Sequence, residues 1–270
     1  MALFNKWIHE FMSPSYCNDV FFRVIVKIIE THDLSLIKET FEEFKIDLKK
    51  LHLDSDESRR ICYDIRDDLA IFEYLVSKGL RADNVTSFDR FADPEKQRKL
   101  VNSRVEIYLK YGGQLSEQDE LELTKDLTYE QVYDKLKVVR HQATKNAGMC
   151  RGILNNNGHE VRKWYFDGAC PREGVNTCFR AAIVESKETE EGAQSKSLVY
   201  FKFLDSKGAK PLCEYANLTT YGLIHFHRDI IEFLKTSGFY DLVKEAMEDS
   251  GTPEEKQQMR EFYRKYNIYR

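Results

Sequence analysis

The sequence predicts an all-α chain, a helical solenoid of repeated helix-turn-helix units with helical N- and C-terminal caps. Three observations carry that prediction. The stretch LAIFEYLVSKG at residues 69–79 reappears as LVYFKFLDSKG at residues 198–208, with six of eleven positions identical. With Gly79 and Gly208 aligned, further segments fall into the same frame: EIYLKYGG through Gly112, VRKWYFDG through Gly168, DIIEFLKTSG through Gly238, and DLSLIKETFEEF, which places Phe44 where the others have glycine. The aligned positions 44, 79, 112, 168, 208 and 238 are separated by 35, 33, 56, 40 and 30 residues. Within the copies, apolar residues recur three to four apart (Leu69, Phe72, Leu75, Val76; Leu198, Phe201, Leu204; Ile230, Ile231, Phe233, Leu234). That spacing is the stripe of a short buried helix. The glycine behind it supplies a left-handed C-cap without steric penalty.

Taken in order, residues 1–31 are aromatic and apolar (Phe4, Trp7, Ile8, Phe11, Phe21, Phe22) and are expected to cap the first repeat as a helix. The repeat domain is expected over residues 32–249, with an irregular insertion at about 114–158 where the register fails. Between the aligned copies there is room for a second helix, predicted at 57–65, at 94–101 with Asp93 as N-cap and Pro94 first in the helix, at 177–185, and at 219–227. A helix over 129–145 carries Arg140 and His141, and the polar stretch KETEEGAQSK, residues 187–196, reads as a surface loop. Over residues 250–270, Gly251-Thr252-Pro253 breaks the chain and opens a final helix, with Thr252 as N-cap and Glu254 and Glu255 in its first turn. Its face of Met259, Phe262, Tyr263 and Tyr266 is expected to pack on the last repeat, docking to a partner being the second reading.

Two helices ending in glycine and a loop, at a spacing of about 33 residues, is the arrangement of ankyrin repeats. The chain resembles that family most closely in GACPREGVNTCFRAA, residues 168–182, in LVYFKFLDSKGAKP, residues 198–211, and in DDLAIFEYLVSKGLRAD, residues 67–83. In the first of these, Thr177 matches the residue that caps a first helix, and Ala181 or Ala182 the small residue that permits close packing. The resemblance is degenerate: no copy has the full Thr-Pro-Leu-His, the nearest being Thr177-Cys178-Phe179-Arg180.

A balance of 41 basic against 45 acidic residues, net charge -4, gives no global positive field and no case for nucleic acid. The most apolar run, residues 20–29, is broken by Arg23 and Lys27 and is too short to span a bilayer, which needs about 20 apolar residues. The six cysteines lack the spacing of a disulfide scaffold and read as reduced thiols, which points to a cytoplasmic, reducing compartment. Cys150, His159, Cys170 and Cys178 are irregularly spaced, without a Cys-x-x-Cys pair, so no metal is assigned. The common nucleotide, zinc-protease and serine-hydrolase motifs are missing, and no cofactor is assigned.

What remains is binding. The ankyrin resemblance implies a protein partner held on a concave face of first helices and loops, where Arg172, Asn176, Arg180, Glu214, Tyr215, Tyr221 and His225 should lie. Arg180, Tyr215 and Tyr221 are the residue types most often found as hot spots. The chain would then act as a regulator or a secreted effector delivered into a host cell, and its C-terminal polar segment is compatible with export. The alternative is a cysteine-dependent hydrolase or transferase on a helical scaffold, with Cys17 or the irregular segment at its centre.

Overall fold

A computed structural model describes residues 14–50, 55–65, 67–82, 85–86, 94–188, 194–211 and 220–268. These form α1 (Pro14–Ile29), α2 (Leu34–Glu43), α3 (Ser55–Asp64), α4 (Leu69–Ser77), α5 (Pro94–Lys110), α6 (Glu117–Thr124), α7 (Tyr129–Leu136), α8 (Gln142–Leu154), α9 (Gly158–Phe166), α10 (Pro171–Glu188), α11 (Ser197–Ser206), α12 (Arg228–Thr236), α13 (Phe239–Ser250) and α14 (Pro253–Tyr266). The chain is all-helical, with no strand among the described residues. It divides into two units, Met1–Leu123 and Thr124–Arg270, and the division falls inside the segment where the sequence register breaks.

In unit 1 two helix pairs are built alike. Asp33 caps α2 by accepting from the N–H of Ser35 (2.9 Å) and Leu36 (3.1 Å), and Asp68 caps α4 by accepting from Ala70 and Ile71 (both 3.0 Å). Each helix ends in a left-handed residue, followed by a backbone bond back to the last turn: Ile46 N–H to the Phe41 carbonyl (2.9 Å) and Leu80 N–H to the Leu75 carbonyl (3.0 Å). The left-handed residue of the first pair is Lys45 (φ 51°), so the expected frame, which put Phe44 at that place, is corrected by one residue. Ile37, Phe41, Ile71, Phe72 and Leu75 are buried. The expected helix at 94–101 and the copy ending at Gly112 are one continuous helix, α5, because nothing between Val101 and Val105 interrupts it. Arg104 of α5 is 1% exposed; its guanidinium lies 4.1 Å from the Phe72 ring centre and donates to the Cys62 carbonyl (3.1 Å).

In unit 2 two helix pairs pack tightly, α8 with α9 and α10 with α11, and α12, α13 and α14 follow, each touching the next. Helices α8 and α10 also pack on each other, so α8 and α10 form one layer, with α9 and α11 behind them. Gly148 and Gly152 of α8 let α9 approach: a Cβ at Gly148 would stand 2.2 Å from Trp164 Cε2, and one at Gly152 would stand 3.0 Å from Val161 Cγ2. Phe179 of α10 is fully buried and is the hub of an aromatic core, with Phe201, Tyr221 and Phe239 at 5.0–5.1 Å between ring centres.

Three expectations are corrected here. Thr177 is not an N-cap: α10 begins at Pro171, and the buried Thr177 hydroxyl bonds back to the Glu173 carbonyl (3.2 Å), a bond open to any mid-helix threonine. The helix expected over 129–145 stops at Leu136, where Lys137 turns left-handed (φ 61°), and Val139 is buried in the intervening turn. The helix expected over 219–227 is helical at 220–222 and open from 224, where Phe226 is inserted into the core, so His225 and His227 flank a buried ring on non-helical backbone. The final helix, α14, has the expected cap in full. Thr252 accepts from the Glu255 N–H (3.2 Å), Glu255 accepts from the Thr252 N–H (2.8 Å), and Met259, Phe262 and Tyr263 are buried against the fold.

Candidate functional site

The face expected to bind a partner is the outward side of α10. Arg172, Asn176 and Arg180 are four residues apart, which on a helix places them in one row. Arg172 and Arg180 are exposed, and Asn176 is half-buried with its Oδ1 unpaired. Val184, four residues beyond Arg180, continues the row and is 51% exposed, and Leu154 at the end of the neighbouring α8 is 59% exposed. This row therefore sets two guanidinium groups in line with an exposed aliphatic side chain.

The other expected residues lie elsewhere. Tyr221 is half-buried, its ring stacked on Phe179 at 5.1 Å and 11°, so one face of it serves the core. His225 Nδ1 lies 2.9 Å from the Tyr266 hydroxyl, and its ring packs on Phe262 at 5.3 Å, which ties the loop to α14. Partial burial, then the charge of Lys265, holds the His225 imidazole below its ordinary range, so the neutral ring is favoured. Glu214 and Tyr215 lie outside the described residues, as does Cys213.

Cys150 sits between the two helices of this layer, its Sγ 3.7 Å from the Glu173 carbonyl, and Cys178 is buried. Burial pushes both thiols up, which keeps them protonated near neutral pH and removes the thiolate that nucleophilic attack requires. The side chain of Cys17 lies outside the described residues. His159 is exposed, 3.7 Å from Glu130, and among the described residues no three His, Cys, Asp or Glu side chains converge as a metal would require.

The irregular segment holds two polar networks that spacing alone did not reveal. Arg151 of α8 donates to the Thr124 and Lys125 carbonyls (2.8 and 2.9 Å) at the end of α6 and pairs with the buried Glu160 (3.3 Å). Asp167 accepts from the Tyr133 hydroxyl and lies 3.6 Å from Lys145 Nζ, which also donates to the Asp167 carbonyl (2.7 Å). Burial, then this carboxylate, pushes the Tyr133 phenol far up, so Tyr133 is a fixed donor and not an exchangeable acid. Both networks join helix ends, the second at the turn made by Gly168, and both are structural.

No protein-family model, no curated protein and no solved structure matches the chain. Among the described residues, no helix is long and apolar enough to cross a membrane.

Proposed function

We propose that the chain is a protein-interaction module, a run of degenerate ankyrin-like repeats that holds a partner on the outward face of its first helices. The observation that carries this reading is the side-by-side packing of α8 and α10, each the first helix of a pair, with Arg172 and Arg180 projecting from the layer they form. A helix pair cannot bury its apolar face alone, so stacked pairs share a core and leave one side of every first helix to solvent. Arginine beside exposed aliphatic carbon is a favourable composition for a hot spot. By this reading Tyr221 and His225 support that surface from behind.

The test is affinity capture with the full chain and with the Arg172→Glu, Arg180→Glu double variant, both positions being exposed and outside the core. A stoichiometric protein partner lost by the variant is the expected result. A partner held equally well by the variant, or no partner at any tested concentration, would remove this face from consideration.

A further inference from the structure

A second surface lies on the other layer of unit 2. Phe166, at the end of α9, is 75% exposed, and Val199 of α11 is 64% exposed, the two highest values among the large hydrophobic side chains of the described residues. Tyr165 joins them to Phe203 of α11 at 5.5 Å between ring centres. Lys207 stands over this group, its Nζ 5.7 Å from the Tyr165 ring, 6.0 Å from Phe166 and 5.8 Å from Phe203. On α11, Val199, Lys202, Phe203 and Ser206 share one face by their spacing, and on α9 Arg162 and Phe166 do. Arg162, Lys202 and Lys207 are exposed, with no ion-pair partner among the described residues. The nearby carboxylates are engaged elsewhere, Asp205 with Lys210 (3.8 Å) and Asp167 with Lys145 (3.6 Å).

We infer that this α9–α11 face docks reversibly on an anionic lipid surface. Charge complementarity selects the occupant: three uncompensated cations surround protruding apolar side chains, the pattern by which interfacial helices lie on negatively charged headgroups. Phenylalanine and valine enter the acyl boundary, while the lysine stems lie along apolar surface with their ammonium groups in the headgroup layer. The ring geometry speaks against single-stranded nucleic acid, which stacks on open aromatic faces. Tyr165 and Phe203 meet edge to face at 82°, so the edge of one covers a face of the other, and Lys207 stands over both rings. The inference is independent of the partner face on α8 and α10, since it uses the helices of the opposite layer.

The experiment is co-sedimentation of the full chain with phosphatidylcholine vesicles, with and without phosphatidylserine. Binding to the phosphatidylserine vesicles alone is expected. The Lys202→Gln and Lys207→Gln variants should each weaken it about fivefold, and Phe166→Ser about tenfold. Arg172→Gln, on the other layer, should leave it unchanged, and these exposed positions leave the Trp164 environment intact as a check on folding. Absence of wild-type binding to the phosphatidylserine vesicles, or binding that survives both lysine substitutions and Phe166→Ser, would overturn the inference. So would tighter binding to a single-stranded oligonucleotide that the same substitutions abolish.

Discussion

Unit 1 and unit 2 bring their helices together by opposite means. Unit 1 holds three of the chain's thirteen glycines, Gly79, Gly112 and Gly113, all just beyond a helix end. Its helices meet through aliphatic and aromatic side chains, Phe41 of α2 lying 5.8 Å from Tyr74 of α4 between ring centres, and through Arg104, which spans the gap from α5 to Phe72 of α4 and the Cys62 carbonyl of α3. In unit 2, four glycines stand where elements touch. Besides Gly148 and Gly152, a Cβ at Gly174 would come within 2.9 Å of Leu204 Cδ1, and one at Gly222 within 2.2 Å of Val243 Cγ1. One unit fills the space between helices with long side chains; the other removes a side chain and inserts its neighbour's. The contrast predicts different fragility: in unit 2 an added methyl at a mid-helix glycine drives one helix off its neighbour, whereas in unit 1 the helix-to-helix contact is lost by shortening a long side chain.

The largest effect is expected at the ring that fills the deepest of these contacts. Trp164→Ala should destabilise unit 2 by about 3–5 kcal/mol in denaturant unfolding. Gly148→Ala should cost about 1–3 kcal/mol in the native chain and much less in a Trp164→Leu background; equal costs in both backgrounds would break the argument for unit 2. In unit 1, Arg104→Ala should cost about 3 kcal/mol, since it empties a buried volume and leaves the Cys62 carbonyl without this donor. A Lys at 104 should not restore that loss, because it lacks the planar group that lies on Phe72.

Smaller effects separate turn glycines from contact glycines. Gly208→Ala, with nothing within 4 Å of the added Cβ, should show only the left-handed penalty of about 1 kcal/mol. Gly79→Ala meets Lys49 Cγ at 2.2 Å and the Lys49 backbone nitrogen at 3.0 Å, so its loss should be larger, and the difference in melting temperature between the two variants measures that contact. The smallest effect concerns His225. Its folded pKa lies below the unfolded value near 6.5, so below that pH the unfolded state binds the extra proton. The anchoring of α14 is therefore complete above about pH 6.5 and weakens as pH falls through the folded pKa. Protection factors of the α14 amides, taken relative to the intrinsic exchange rate at each pH, should fall over that interval, and His225→Gln should flatten the response.

Much of this architecture was legible because left-handed backbone favours glycine so strongly. The five aligned glycines, 79, 112, 168, 208 and 238, are the five described glycines with positive φ, from 80° to 100°. The C-terminal helix was legible for a similar reason, since Thr252, Pro253 and Glu255 each satisfy a separate demand of a helix start. Thr177 misled because a hydroxyl that can cap a helix can also bond back within one. The open backbone at His225 and His227 was hidden because Phe226 is drawn into a core assembled from α10, α11 and α13, a tertiary cause outside its own neighbourhood. Of the candidate site, the repeat register pointed to Arg172 and Arg180, which are exposed, whereas the stacking of Tyr221 on Phe179 depends on residues more than forty apart. The aromatic group around Lys207 was equally hidden, because the frame sets Tyr165 against Asp205 and no single copy contains the pattern.

Glu185, near the end of α10, accepts from the Ser195 hydroxyl and from the Ser197 N–H (3.2 and 3.3 Å), while the Ser195 N–H donates to Asp229 of α12 (2.9 Å). The two ends of the polar excursion between α10 and α11 are thus fastened by a carboxylate on each neighbouring helix, with Ser195 and Ser197 themselves buried. Since loop closure grows only slowly with length, the number of residues between the fastened ends is nearly decoupled from the packing around them. At that junction the chain can take up a reporter sequence, or gain and lose residues over descent, with little disturbance to α10, α11 and α12.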